Sequence, residues 1–314
     1  MKLSIVTTLY KSVAYIEEFH RRISAEAARV TDDYEIVMVD DGSPDASLEV
    51  AIKIATRDPR VSVVELARNF GHHRAMMTGL RLAEGALVFL IDVDLEEEPE
   101  WLSRFWRTMT EGNYDVVFGY QAQRKGKLME KVGGAVHWWL IRKLSYYPIP
   151  ENLVTARLMT RQYVRSLIRH REQKTAIGGL WALTGYKQVG LPVNKGFRGE
   201  TSYSVIRRLA VGLDGLTSFS EKPLILVFLL GSMIFALSSI GAIYLVVRRL
   251  TGTLLSGWAS LVVSVWMLGG LSIASIGVLG LYIARIFIET KGRPYSIIRK
   301  VHRHRPGAPA SWTS

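Results

Sequence analysis

The chain has 314 residues, enough for one large or two modest soluble domains, and its 40 Lys and Arg against 28 Asp and Glu give a formal net charge of +12. A basic balance points to nucleic acid, anionic lipid or phosphorylated substrates, and with no nucleic-acid motif or aromatic-studded basic repeat, nucleic acid is set aside. The absence of cysteine excludes disulfides and thiolate chemistry.

Met1 to Tyr10 carries too short an apolar run for a signal peptide and reads as a first β-strand over Leu3–Thr8, so the soluble domain is expected to start inside the cell. Further β-rich runs lie at Glu35–Val39, Val61–Glu65, Leu87–Ile91 and Asp115–Gly119. Helical patterns fill the gaps at Val13–Val30, Ala46–Thr56, Arg74–Ala83 and Pro99–Thr110. This alternation predicts an α/β domain with a parallel sheet covered by helices.

The second strand runs into Asp40-Asp41-Gly42-Ser43-Pro44-Asp45. That stretch reads as a helix start, with Ser43 as N-cap and Pro44 at the first helical position, and equally as an acidic loop. The fourth strand ends in Ile91-Asp92-Val93-Asp94. In extended backbone residues i and i+2 point to one side, so Asp92 and Asp94 can face one hard cation, Mg²⁺ or Mn²⁺, shared with substrate phosphates. A solvated loop or helix cap explains the pair as well. Context favours the ligand reading, because acidic loops after two strands of an open sheet can flank one crevice. His72 and His73 are adjacent on a helix, do not share a face, and read as structural or pocket-lining and not as metal ligands.

Beyond Gly119 the pattern loosens. Met129–Ser145, with Trp138 and Trp139 among Lys131, Arg142 and Lys143, and Tyr203–Phe219 read as helices lying at a membrane surface, the alternative being amphipathic helices packed on the sheet. Leu224–Val247 and Trp258–Ala284 contain no charged residue. At ~1.5 Å rise per residue each crosses a ~30 Å hydrocarbon core, which predicts a transmembrane hairpin. An even number of spans puts both termini on one side, and Arg285, Lys291, Arg293, Arg299, Lys300, Arg303 and Arg305 make that side cytoplasmic. Arg248 and Arg249, placed in the connecting loop, oppose this and are outnumbered. Gly269, Gly270, Gly277 and Gly280 would admit a neighbouring helix. The expected organisation is a catalytic domain over 1–202, a juxtamembrane amphipathic helix over 203–222, a two-span hairpin over 223–288 and a basic tail over 289–314.

The motifs Val39-Asp40-Asp41-Gly42-Ser43, Arg68-Asn69-Phe70-Gly71, Asp92-Val93-Asp94-Leu95 with Pro99-Glu100, Arg157-Leu158-Met159, Gly199-Glu200-Thr201 with Tyr203, and Thr217-Ser218-Phe219-Ser220 occur in order along the chain. In this the chain resembles the membrane-anchored, inverting family 2 glycosyltransferases that make polyprenyl-phosphate sugars, among them the dolichyl-phosphate mannose synthase and bactoprenol glucosyltransferase groups. The resemblance implies a GT-A-type, Rossmann-like nucleotide-sugar domain. It implies donor contacts from Thr8, Tyr10, Asp40, Asp41, Asp92 and Asp94, with Asp92, Asp94 and Glu96 at a divalent ion. Arg124, Arg157, Ser202 and Tyr203 would then face phosphate or acceptor, a role the planar guanidinium suits. Asp94, Arg157 and Thr155 are the implied catalytic positions.

The implied reaction moves a sugar from a UDP-linked donor to undecaprenyl or another polyprenyl phosphate at the inner face of a bacterial cytoplasmic membrane, in a homo-oligomer for which a tetramer is the expectation. A phosphate monoester has its second pKa near ~6, so the nucleophile is ionised at neutral pH and needs no strong base. Three positions depart from the family pattern. Thr155 stands where an acidic residue is usual, Glu96 where Gln is frequent, and Ser202 where Lys is common. They motivate one alternative, a non-catalytic scaffold in glycolipid assembly; a second, transfer to another lipid acceptor such as a glycerolipid hydroxyl, would need a general base that the sequence does not clearly offer.

Overall fold

The computed structural model describes residues 2–121, 152–170, 177–196, 222–250 and 257–303. The chain forms two bodies, one of residues 1–132, 147–202 and 293–314, the other of residues 133–146 and 203–292.

The first body is built from β1 (Leu3–Leu9), α1 (Ile16–Val30), β2 (Tyr34–Asp40), α2 (Ser47–Arg57), β3 (Val61–Leu66), α3 (His72–Leu82), β4 (Leu87–Leu90), α4 (Trp101–Gly112), β5 (Val116–Tyr120), β6 (Leu153–Thr160), α5 (Arg161–Leu167), α6 (Ile177–Leu183), β7 (Gln188–Pro192) and β8 (Ile298–Arg303). All eight strands lie in one sheet, in the order β7-β5-β6-β4-β1-β2-β3-β8. β1 is buried along its whole length, Ser4, Thr7 and Thr8 included, as a strand covered on both faces must be. Helices α1 and α4 turn apolar stripes inward, Ile16, Phe19, Ile23 and Ala27 on one and Trp101, Leu102, Phe105 and Met109 on the other. Phe105 meets Phe89 of β4 edge-on, with ring centroids 6.1 Å apart. A Cβ at Gly79 would lie 2.5 Å from Val6 Cγ1, so the glycine lets α3 settle against β1.

The expected parallel sheet is in fact mixed. β1, β2, β3 and β4 pair in parallel, whereas β6 runs antiparallel between β4 and β5, and β8 runs antiparallel to β3. Parallel pairing follows from βαβ alternation, which ends after Gly119, and β6 fills the gap between β4 and β5 in the opposite sense. The expected Ser43 cap does not form either. α2 starts at Ser47, whose N–H and hydroxyl donate to Asp45 Oδ1 at 3.3 and 2.6 Å, while Ser43 N–H donates to Asp40 Oδ2.

β8 lies within the stretch expected as a basic tail. Its Arg299 and His302 both reach Glu65 of β3, at 3.2 and 3.1 Å, and Ser296 hydrogen-bonds Thr78 at 2.7 Å. Just ahead of β8, Tyr295 is buried with Arg74 and Arg81 about its ring, at 5.5 and 5.3 Å from the centroid. Tyr295→Ala is expected to lower folding stability by about 3 kcal/mol, read as a fall in the thermal unfolding midpoint, because it empties a buried aromatic site at the anchor of β8.

The second body contains α7 (Lys222–Leu250) and α8 (Trp258–Thr290), which pack on each other. Among the described residues one stretch, Met267–Thr290, is long and apolar enough to cross a membrane. Its side chains face outward, Ile273 at 73% and Ile276 at 67% exposure, where a water-soluble helix would bury them. Arg248 and Arg249 belong to the last turn of α7 and not to a loop, and Arg285 belongs to α8. The two expected interfacial helices, at Met129–Ser145 and Tyr203–Phe219, lie outside the described residues.

Candidate functional site

Strand polarity gathers the motifs at one end of the sheet. The carboxyl ends of β1, β2 and β4 lie there, and because β6 is antiparallel to β4, its amino end arrives beside them, with Arg157 opposite Leu90. β2 and β3 extend from one side of β1 and β4 from the other, so the strand order reverses between β1 and β4. A ligand crevice is expected at such a reversal.

Four side chains from four elements meet there. Thr8 Oγ1 of β1 lies 3.0 Å from His72 Nδ1 at the start of α3, and His72 Nε2 lies 3.4 Å from Asp92 Oδ1. The Thr155 hydroxyl donates to Asp92 Oδ2 at 2.8 Å. Both contacts of His72 are satisfied with its proton on Nε2, so that the Thr8 hydroxyl donates to Nδ1. Asp92 is thus oriented by two partners, as ligating carboxylates commonly are.

Asp92 and Asp94 do not sit on an extended strand. β4 ends at Leu90, residues 93–94 form a turn, and Leu95 takes φ +61°. Asp94 Oδ1 accepts the Glu96 N–H at 3.0 Å, which closes the turn. The two carboxylates share a loop, as expected, by way of this turn and not by strand alternation.

Glu97 was not anticipated. It is 0% exposed, and its Oε1 accepts the Thr155 N–H at 2.8 Å and its Oε2 the Asp92 N–H at 3.5 Å, so one buried carboxyl ties the Asp loop to β6. Burial and the neighbouring Asp92 push Glu97 up to about 8, against the pull of Lys195. Lys195 was missed as well. Its Nζ lies 3.4 Å from Glu96 Oε2 and 3.8 Å from Glu97 Oε1. Burial pulls its ammonium down, but Glu97, Asp92, Asp94 and Glu96 outweigh that and hold it above the ordinary lysine value.

On the other side of β1, Asp41 accepts the Phe70 and Gly71 N–H groups, at 2.7 and 2.9 Å, one on each oxygen, and so holds the loop ahead of α3. Gly42, at φ +61°, comes so close to that loop that a Cβ would lie 2.6 Å from Arg68 C and Asn69 N. Asp40 is 2% exposed, burial raises its pKa, and its Oδ1 has no partner among the described residues. Tyr10 is exposed at the rim.

Arg157 lies deep in the fold. It is 1% exposed, its guanidinium lies over the Trp181 ring 2.9 Å from the centroid, and burial pulls it down to about 9. Its Nε donates to its neighbour's carbonyl, Thr155 O, at 3.3 Å, while Nη2 has no partner among the described residues. Arg124, Ser202 and Tyr203 lie outside the described residues.

Among the described residues no three His, Cys, Asp or Glu side chains converge as a metal cage. A Mg²⁺ or Mn²⁺ at a nucleotide site takes one or two carboxylates and completes its shell with phosphate oxygens and water. The oxygen donors of Asp92 and Asp94, with Glu96 beside them, fit that demand.

Residues 4–169 match the model of the family described as Glycosyl transferase family 2. A protein named among the glycosyltransferases of Mycobacterium tuberculosis is 50% identical over 303 residues, covering 96% of this chain and 89% of the relative. The glycosyltransferase YkcC of Bacillus subtilis is 32% identical over 96% of this chain and 94% of its own length. The SfII prophage-derived bactoprenol glucosyl transferase of Shigella flexneri is 31% identical over 98% of this chain and all of its own length.

Proposed function

From the chain's membership of glycosyl transferase family 2, which makes it a glycosyltransferase, we propose that it transfers a sugar from a UDP-linked donor to undecaprenyl or a related polyprenyl phosphate, with inversion and with the help of a divalent cation. The observation that carries this reading is the cluster of Thr8, His72, Asp92 and Thr155 at the strand-order reversal, with Asp94 in the adjoining turn. Full-length similarity to a bactoprenol glucosyl transferase supports the acceptor class.

The donor would lie across the GT-A-type crevice, with Asp40 Oδ1 open to an N–H of the base and Asp92 and Asp94 toward the diphosphate. A bound Mg²⁺ or Mn²⁺ would offset the charge that builds on the departing nucleoside diphosphate. Thr155 orients Asp92 through its hydroxyl and stands where the acceptor phosphate would approach. That phosphate is already ionised, so no strong base is needed at this position.

The unpartnered Nη2 of Arg157 supports a phosphate role, whereas its burial under Trp181 supports a structural one. Arg157→Met separates the two. If the guanidinium serves a phosphate, turnover falls about a hundredfold while stability holds or rises by ~1 kcal/mol, because a buried, underpaired charge is costly. Unchanged turnover with lowered stability would assign it to the fold.

The apolar stretch Met267–Thr290 supports anchoring in the bacterial inner membrane, and α7 would supply a second span. Because β8 pairs with β3, the chain must return after these helices to the side it left. That supports an even number of crossings, with catalytic domain and tail on one side of the membrane; the cytoplasm as that side and a homo-oligomer meeting through the spans complete the proposal.

The test is release of nucleoside diphosphate by purified protein with Mn²⁺ or Mg²⁺, undecaprenyl phosphate and a panel of nucleotide sugars. Lipid-dependent turnover with one donor is expected. Folded protein that turns over no donor would overturn the reading in favour of a scaffold.

A further inference from the structure

Lys195 stands in a place that donor binding alone does not explain. The chain leaving β7 is held to β5 and α4 ahead of Lys195, where Val193 N–H donates to Tyr120 O at 2.9 Å and Arg104 Nη1 to Pro192 O at 3.1 Å, and to the acidic loop just after it, where Gly196 N–H donates to Glu96 O at 2.8 Å. A Cβ at Gly196 would lie 3.4 Å from Glu96 Cα, so the two backbones run in contact. Between these anchors the Lys195 side chain, 23% exposed, sends its ammonium to Glu96 and Glu97, at 3.4 and 3.8 Å. Asp92 and Asp94 are close enough to act on the same charge.

Three carboxylates in one loop, Asp92, Asp94 and Glu96, packed about a Glu97 that burial keeps protonated at neutral pH, repel one another unless a cation sits among them. Among the described residues the other cation nearby, Arg157, has another post, stacked on the Trp181 ring. A lysine ammonium is a compact charge on a flexible stem and can change partners without moving the backbone.

Resting on the nucleotide-sugar reading above, we propose that Lys195 is a tethered counter-cation, held among Asp92, Asp94, Glu96 and Glu97 in the donor-free protein and transferred to the donor diphosphate when a divalent cation enters with it. Lys195 thereby opposes metal binding in the empty site and assists nucleotide binding in the filled one. The two effects have opposite signs in one residue, which a purely structural lysine does not produce.

The experiment is titration of full-length protein with Mn²⁺ alone, followed by UDP at saturating Mn²⁺, for wild type, Lys195→Met and Lys195→Arg. Lys195→Met is expected to bind Mn²⁺ alone about tenfold more tightly and UDP with Mn²⁺ about tenfold more weakly, and Lys195→Arg to keep the wild-type Mn²⁺ affinity. Wild type that binds UDP, with Lys195→Met unchanged or weaker toward Mn²⁺ and equal in thermal midpoint, overturns the counter-cation. Wild type that binds no UDP overturns the nucleotide-sugar reading and the inference with it.

Discussion

Asp94→Asn is expected to lower turnover about 10³-fold, a loss of ~4 kcal/mol of transition-state stabilisation, with the thermal midpoint unchanged. The substitution isolates charge from structure. Asp94 Oδ1 accepts the Glu96 N–H that closes the turn after β4, and an asparagine carbonyl can accept the same bond. What asparagine lacks is the negative oxygen that a hard cation selects, so the defect falls on metal and diphosphate handling. In a nucleoside diphosphate release assay kcat should fall, with excess Mn²⁺ recovering only part of it. Turnover within threefold of wild type would sink the metal role. Asp92→Asn tests the same charge less cleanly, because Asp92 also holds Thr155 and His72 in place.

Much of this site is legible without coordinates. The β-rich runs at Leu3, Glu35, Val61 and Leu87 become β1 to β4, in parallel, because each is separated from the next by a helical pattern long enough for a crossover. Asp40, Asp92 and Asp94 follow from their place at strand ends. The strands that β/α alternation does not announce are β6, β7 and β8. In β8, Ile-Arg-Lys-Val-His-Arg reads as a solvated basic run, and only its pairing with Glu65, more than two hundred residues earlier, makes it a strand. His72 reads from the sequence as structural or pocket-lining and not as a metal ligand, because adjacent histidines do not share a helix face. That argument is sound for a pair, but it says nothing about one of them reaching Asp92 alone. Glu97 is hidden in a run of three glutamates that looks like a wet turn, and Lys195 in a loop without a motif. Both matter through partners distant in the chain, Thr155 for one and Glu96 for the other.

Glu97 carries the second large expectation, because a buried acid at the centre of a charged loop couples stability to pH. The ordinary glutamate value is 4.5, and in the fold Glu97 is pushed up to about 8. Between these two values the folded chain keeps a proton that the unfolded chain has released. Stability is therefore greatest at the acid end of the window and falls as pH rises from about 4.5 to about 8, by at most ~1.4 kcal/mol per pH unit for this group. Glu97→Gln stays neutral throughout and keeps an acceptor for the Thr155 N–H, so its unfolding free energy should lose that slope. Denaturant unfolding of wild type and variant at pH 5, 6, 7 and 8 measures the difference, and parallel curves would remove Glu97 as the source. Glu97→Leu is the harsher case. It leaves the Thr155 and Asp92 N–H groups buried without their acceptor, which costs about 3 kcal/mol and lets β6 drift from the Asp loop. Turnover should fall a further 10- to 100-fold, about as much as disturbing the partner of a ligating carboxylate, because Asp92 then loses the geometry that Thr155 imposes. The same carboxyl that makes the fold sensitive to pH thus holds the reacting end of the sheet together.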